Sequence, residues 1–352
     1  VVGKKYSWGS NSRLRVRKMN ISIKQIIKVV GGKPSAGDFS QKVTSVVIDS
    51  RKVSPGSMFV AFAGEHTDGH NYLAECARKG AIAALVERDV PPCGEMVTIQ
   101  VDNTFAALQR LASWQRRQLK DIQVLGVTGS SGKTTTKELV AGVLSQKYSV
   151  FKSRGNHNNA IGLPLMIFEL QEHHQWAVLE MGMSARGEIK ELCATSRPGL
   201  GIITNIGEAH MEHLGSQQAI MEAKFELAQD LEPPCLMILN GDDPWQRRKV
   251  KEGLPGVKVI FYGLDPENNI RAVNIQTGVE GSSFDVQWSG KSIRVELGLL
   301  GAHNVSNALA AFAAGLVLDV EPRAIVMGLA SVRGEGRRLQ PFEINGLTLI
   351  DD

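Results

Sequence analysis

Gly126-Val-Thr-Gly-Ser-Ser-Gly-Lys-Thr-Thr-Thr-Lys137 is the stretch that decides how this chain is read. The apolar run entering it, Ile122 to Val127, has the composition of a strand, and Lys133 to Gln146 has that of a helix. A strand, a glycine-rich turn and a helix opening on Gly132-Lys133-Thr134 make a phosphate cradle. It runs through Thr128, Gly129, Ser130, Ser131, Gly132, Lys133, Thr134 and Thr135. Backbone N–H groups and the helix dipole face the anion, Lys133 reaches the β- and γ-phosphates, and the Thr134 hydroxyl suits Mg²⁺. The general pattern places a glycine at 127, where this chain has Val127; its glycines stand at 126, 129 and 132. An incidental glycine turn would have neither the strand before it nor Gly-Lys-Thr-Thr within it. The chain reads as an ATP user.

Downstream of the cradle, apolar runs alternate with helical stretches. Strands are expected at Ile122–Val127, Ala177–Met181, Leu200–Ile206, Cys235–Leu239 and Val257–Tyr262, and helices include Gln217–Asp230 and Val305–Leu318. Such alternation predicts a mostly parallel sheet with helices on both faces. Residues 270–297 read as a β-hairpin insertion. Upstream, residues 19–103 form a separate small mixed α/β unit, with short β-rich runs at Val43–Ile48, Met58–Ala63, Ile82–Val86 and Val97–Val101 and a helical stretch at Tyr72–Lys79. The central domain is expected over 104–334, opening on a helix from Thr104 to about Lys120. Phe342 to Ile350 reads as a hairpin around Asn345-Gly346. A hairpin alone is marginal in water. The expectation is therefore that 335–352 begins a further, Rossmann-like domain and that the chain is a piece of something longer.

Composition limits the function classes. The 352 residues carry 43% hydrophobic and 22% charged side chains, ordinary values for a globular protein. No apolar run reaches the ~18 residues of a membrane span. Six of the 40 basic residues lie in 1–18, which has no acid and no apolar core of a secretory signal; the remainder has 34 basic against 36 acidic residues, a net −2. That balance does not suit a nucleic-acid binder. Residues 1–18 read as a basic leader outside the fold, with Met19 as the start. The four scattered cysteines lack metal-ligand spacing and read as reduced thiols of a cytoplasmic protein.

Three clusters follow the cradle, each at an expected strand end, where open α/β sheets bind ligands. Glu180 is placed to ligate Mg²⁺ or to stand solvated. His210, in Thr204-Asn-Ile-Gly-Glu-Ala-His210, is placed for a metal or a phosphate, although a single loop histidine is more often structural. Lys224, in Glu222-Ala-Lys-Phe-Glu226, has the spacing of a surface helix lysine.

Together with Gly155-Asn-His-Asn-Asn-Ala-Ile-Gly-Leu-Pro164 and Gly301-Ala-His-Asn-Val-Ser-Asn307, these motifs resemble the Mur ligases, ATP-dependent ligases of the peptidoglycan stem peptide. Gly-Ser-Ser-Gly-Lys, Ala185-Arg-Gly-Glu-Ile189 and Gly336-Arg-Arg-Leu-Gln-Pro341 resemble the branch that adds D-alanyl-D-alanine to a UDP-N-acetylmuramoyl-tripeptide. The resemblance implies that Lys133 and Thr134 serve the ATP phosphates and Mg²⁺, and that two Mg²⁺ ions are held by Thr134, Glu180, His210 and a carbamylated Lys224. It places Asn158 and Asn159 beside the γ-phosphate, Asn304 and Asn307 on the adenine, and Arg338 and Asp352 on the nucleotide from the last domain. In the first unit, Ser50, Arg51, Gly64, Asp68 and His70 correspond to the pocket for the UDP end. A carbamate on Lys224 also makes electrostatic sense. An ammonium ~4 Å from Mg²⁺ would be repelled by roughly 8 kcal/mol at an effective dielectric of 20. The implied enzyme is a monomer with no nucleic-acid or membrane partner. A sister ligase adding another amino acid, a folylpolyglutamate-synthetase-like ligase and a P-loop switch protein remain alternatives.

Overall fold

The computed structural model describes residues 19–64, 67–333, 340–344 and 347–351; the leader 1–18, the Asn345-Gly346 turn, Arg338 and Asp352 lie outside the described residues. The first unit runs β1 (Ile21–Ser22), α1 (Ile23–Val30), β2 (Lys33–Pro34), β3 (Lys42–Val43), β4 (Ser45–Val47), β5 (Ser57–Val60), α2 (Leu73–Arg78), β6 (Ala83–Val86) and β7 (Val97–Gln100), and α3 (Thr104–Gln118) follows it. Five of its strands form one sheet in the order β2-β7-β6-β5-β4, parallel except for β2. β5 and β6 are buried along their whole length. That is why they read as unbroken apolar runs rather than alternating ones. α3 starts on Asn103, whose side chain accepts from Ala106 N–H, and packs against α1.

The rest of the described chain runs β8 (Gln123–Thr128), α4 (Lys133–Leu144), β9 (Val150–Lys152), α5 (Gly162–Glu169), β10 (Trp176–Glu180), α6 (Glu188–Ser196), β11 (Leu200–Ile203), α7 (Met211–Leu214), α8 (Gln217–Gln229), β12 (Leu236–Asn240), α9 (Pro244–Glu252), β13 (Lys258–Gly263), β14 (Ile270–Gly278), β15 (Gly281–Trp288), β16 (Lys291–Leu297), α10 (His303–Val317), α11 (Pro322–Ser331), β17 (Gln340–Ile344) and β18 (Leu347–Asp351). Nine strands make one sheet, ordered β16-β15-β14-β13-β12-β11-β8-β10-β9. From β9 to β14 all neighbours are parallel. Helices on both faces bury these strands, as the alternation predicts. α3, on the first unit's boundary, also packs on α5 and α6, so one continuous apolar core reaches from Met19 to Leu239. A second core lies on the other face, where α4 and the alanine-rich α10 meet α11.

Two details differ from the sequence reading. β9 is a strand of three residues, too short to stand out among its neighbours. Residues 270–297 form not a hairpin insertion but a three-stranded antiparallel meander that extends the main sheet, because β14 pairs in parallel with the end of β13 at Tyr262 and Gly263. Among the described residues, no helix is long and apolar enough to cross a membrane. β17 and β18 pair antiparallel from Gln340–Asp351 to Ile344–Leu347.

Candidate active site

β8 is the switch point of the sheet: it lies between β10 on one side and β11 on the other, and crevices at such points receive ligands beyond the carboxyl ends of the strands. Register sets the three strand ends level. Glu180 of β10 pairs with Val127, and Ile203 of β11 pairs with Thr128. The turn that follows β8 is compressed. Gly129 has φ +151, and a Cβ there would lie within van der Waals overlap of the Thr204 hydroxyl; Gly132 has φ +75, and a Cβ there would stand 2.6 Å from Asn307 Oδ1. Only glycine fits either place. No side chain caps α4, so its first-turn N–H groups face the crevice, as an anion site requires.

Side chains hold the turn in place. Ser130 N–H donates to Asn205 O at 3.0 Å, and Ser131 N–H donates to Asn205 Oδ1 at 3.1 Å. Asn205 Nδ2 donates back to Ser131 Oγ at 3.0 Å, Gly207 N–H donates to Ser130 Oγ at 2.8 Å, and Thr204 Oγ1 donates to Ser131 O at 2.6 Å. The cradle and the segment leading to His210 thus move as one body. Lys133 Nζ folds over the turn and donates to Gly129 O at 2.8 Å and Ser130 O at 3.3 Å. Thr128 is fully buried and Thr135 half-buried.

Glu180 is buried beside the cradle. Its Oε2 accepts from Thr134 Oγ1 at 2.9 Å, its Oε1 accepts from Asn158 Nδ2 at 2.9 Å, and its backbone N–H donates to Ser153 Oγ at 3.0 Å. The 2.9 Å between Thr134 Oγ1 and Glu180 Oε2 equals the separation of two cis ligands on Mg²⁺, about 2.9 Å for bonds of about 2.1 Å. The pair therefore fits that ion. Among the described residues there is no group of three or more His, Cys, Asp and Glu able to hold a metal.

Lys224 is not a surface lysine. α8 places it on the buried stripe with Ile220, Met221, Leu227 and Ala228, and it is 1% exposed. Burial, with Lys133 nearby, pushes its pKa from 10.5 down to about 7. His210, in the left-handed region at φ +69, is held below the usual imidazole pKa by burial and then by Lys224 and Lys133. Lys133, His210 and Lys224 thus lie close enough to act on one another's charge. Two residues beyond Lys224, Glu226 accepts from Gly187 and Lys190 N–H at 2.7 and 3.1 Å, which locks α8 to the start of α6.

Other expected residues take different places. Asn158 faces Glu180, but Asn159 Oδ1 accepts from Ile161 and Gly162 N–H at 3.1 and 2.8 Å and so caps α5. Asn304 and Asn307 are buried and bonded to each other, Asn307 Nδ2 donating to Asn304 Oδ1 at 2.9 Å. Thr136 Oγ1 donates to Asn307 Oδ1 at 3.2 Å, which ties α10 to α4. In the first unit, Ser50 and Arg51 follow β4, while Gly64, Asp68 and His70 follow β5. Arg51 forks onto Asp49. The His70 ring is 2% exposed, with Nδ1 2.6 Å from Asp68 Oδ1 and Nε2 accepting from Glu87 N–H at 3.0 Å; it is a strut for Asp68, which also meets Arg88 at 2.7 Å. Sequence reasoning gave no role to Asn205, although it stands in the quoted Thr204–His210 motif, nor to Ser153 and Lys137, which carry no local signal.

Comparison with known proteins matches two family models: Mur ligase middle domain over residues 127–315, and Mur ligase family, catalytic domain, over residues 42–116. The chain is 37% identical over 334 residues to the UDP-N-acetylmuramoyl-tripeptide–D-alanyl-D-alanine ligase of Bacillus subtilis (strain 168), covering 94% of this chain and 71% of that one. It is 33% identical to the enzyme of the same name from Escherichia coli (strain K12), covering 95% and 73%. Among solved structures, MurF from Acinetobacter baumannii superposes with a TM-score of 0.89 at 31% identity, over 96% of this chain and 74% of that one. The MurF ligase from Thermotoga maritima in complex with ADP superposes with a TM-score of 0.77 at 30% identity, over 87% and 70%.

Proposed function

The chain belongs to the Mur ligase family, and on that premise we propose that it is the ATP-dependent ligase that joins D-alanyl-D-alanine to UDP-N-acetylmuramoyl-tripeptide in peptidoglycan precursor synthesis. The observation that carries this reading is the convergence at one switch point of an uncapped phosphate cradle, the Thr134–Glu180 pair and the buried Lys224. A nucleotide switch would need the cradle and a metal-holding pair, but not a buried lysine of lowered pKa beside them.

The phosphates of ATP lie on the N–H groups from Gly129 to Thr135, and Lys133 leaves the Gly129 and Ser130 carbonyls to reach them. Thr134, Glu180, His210 and carbamylated Lys224 would hold Mg²⁺, which supplies charge neutralisation at the transferring phosphoryl group. A neutral Lys224 amine, favoured by its lowered pKa, is the form that takes up CO₂. The tripeptide's terminal carboxylate attacks the γ-phosphorus, ADP leaves, and the amine of D-alanyl-D-alanine displaces phosphate from the acyl phosphate. The chain's part is to position the reactants and stabilise charge. Asn158 aligns Glu180, while Asn159 acts from one residue further as the cap of α5. Asn304 and Asn307 border the adenine, with Arg338 and Asp352 completing the nucleotide contacts. The UDP end lies across the loops after β4 and β5, on Ser50, Arg51, Gly64 and Asp68, with His70 beneath. The enzyme acts as a cytoplasmic monomer.

The test supplies ATP, Mg²⁺, UDP-N-acetylmuramoyl-tripeptide and a panel of amines. Pentapeptide product with one phosphate released per bond, formed with D-alanyl-D-alanine and not with L-lysine or D-glutamate, is expected. Product with a single amino acid instead would reassign the chain to a sister ligase.

A further inference from the structure

Lys137 is the last residue of the opening motif and has no part in the reading above. It lies one turn along α4 from Lys133 and Thr134, on the same helix face, and is fully buried. Its Nζ stands 3.0 Å from Glu138 Oε1 and 4.0 Å from Glu180 Oε2, yet no hydrogen bond reaches it among the described residues. Glu138 in turn pairs through Oε2 with Lys152, whose side chain is 42% exposed. Charges of alternating sign therefore run Glu180, Lys137, Glu138, Lys152 from the crevice to the surface.

Packing does not demand a cation there. Val140 and Ala141, one turn further along the same face of α4, are buried apolar residues, and burying a charge is costly unless it is well bonded. Its position accounts for it better. The Glu180 oxygen nearest Lys137 is Oε2, the same atom that accepts from Thr134 and would face Mg²⁺. Glu138 is shared between Lys137 and Lys152, so the Glu180 carboxylate has a cation 4.0 Å away in Lys137, with Lys133 one turn earlier on the same helix. A divalent ion seated on Thr134 and Glu180 alone would meet a net positive surrounding, and the count of ligand charges sets such affinities. Nucleotide phosphates reverse that balance.

We propose that Lys137 is a positioning residue that keeps the Thr134–Glu180 pair from holding a divalent cation until nucleotide phosphates arrive, so that metal enters with the nucleotide. The inference rests on the reading of that pair as the metal site.

The test is Mn²⁺ binding followed by electron paramagnetic resonance, on protein without nucleotide and with ADP. Lys137→Met should bind Mn²⁺ at least tenfold more tightly than the parent in the absence of nucleotide, while Lys137→Arg stays within threefold of the parent. Lys137→Gln, neutral and able to bond Glu138, serves if the methionine variant does not fold, with the same expectation. A purely structural role would lower the melting temperature and leave Mn²⁺ affinity unchanged. Unchanged or weaker binding by the neutral variants overturns the inference. Loss of ADP-dependent Mn²⁺ binding in Glu180→Gln keeps the underlying reading intact in that case; if Glu180→Gln binds Mn²⁺ with ADP as the parent does, both fall.

Discussion

Replacing Lys224 by methionine removes the most costly charge of the crevice while keeping its volume. In the folded chain this lysine titrates near pH 7, against 10.5 in the open. Below pH 7 the folded state therefore carries a protonated, buried amine at a cost of about 5 kcal/mol, at about 1.36 kcal/mol per pH unit. The unfolded chain keeps its proton up to pH 10.5. Between 7 and 10.5 it thus binds more protons than the folded chain, and stability must rise with pH. From pH 6 to pH 9 the gain amounts to about 2.5 kcal/mol. The methionine variant has no such term. Urea unfolding in CO₂-free buffer should show Lys224→Met more stable than the parent at pH 6, with the difference shrinking by about that amount at pH 9. The same shift governs reactivity. At pH 7.5 about three-quarters of the Lys224 amines are neutral, against about 0.1% for an ordinary lysine, so CO₂ meets a nucleophile population several hundred times larger. Labelled bicarbonate should give a carbamate carbon signal in the parent that Lys224→Met lacks. A stability difference that stays flat from pH 6 to 9 would refute the depressed amine, and with it the argument for the carbamate.

Two further outcomes follow from the cradle. Lys133→Ala should lower ATP turnover by about 10²–10³ with the melting temperature nearly unchanged, as measured by phosphate release and thermal unfolding; turnover within a few-fold of the parent would take Lys133 off the phosphates. Gly132→Ala, which puts a Cβ 2.6 Å from Asn307 Oδ1 at φ +75, should destabilise the chain by about 1–2 kcal/mol and also weaken ADP binding, since it pushes α10 from the cradle; calorimetric titration with ADP reads the second effect, and unaltered affinity would separate Asn307 from the nucleotide.

Much of this site was legible in the sequence, because the elements that form it are marked locally. β8 has no polar residue from Val124 to Val127, where it is buried throughout, and the glycines of the turn after it stand out in the sequence itself. What was not legible depends on partners distant in the chain. Lys224 has the local pattern of a surface lysine and Lys137 carries no local signal, and only the packing of α8 and α4 shows both buried. His70 looks like an open ligand until β6 brings Glu87 N–H onto its Nε2. Asn159 is drawn to the start of α5 by two free N–H groups. Asn205 carries no signal of its own, because its work is done on a turn 74 residues away. The meander over 270–297 was misread for the same reason: its link to the main sheet is a parallel pairing of two residue pairs at the end of β13.

The most direct test of the account is the path of oxygen during ligation. UDP-N-acetylmuramoyl-tripeptide labelled with ¹⁸O in its terminal carboxylate is turned over with ATP, Mg²⁺ and D-alanyl-D-alanine, and the products are weighed by mass spectrometry. An acyl phosphate formed on the cradle predicts one ¹⁸O in each inorganic phosphate released and none in the ADP. Label found in AMP, or phosphate released without label while the peptide bond forms, would contradict it.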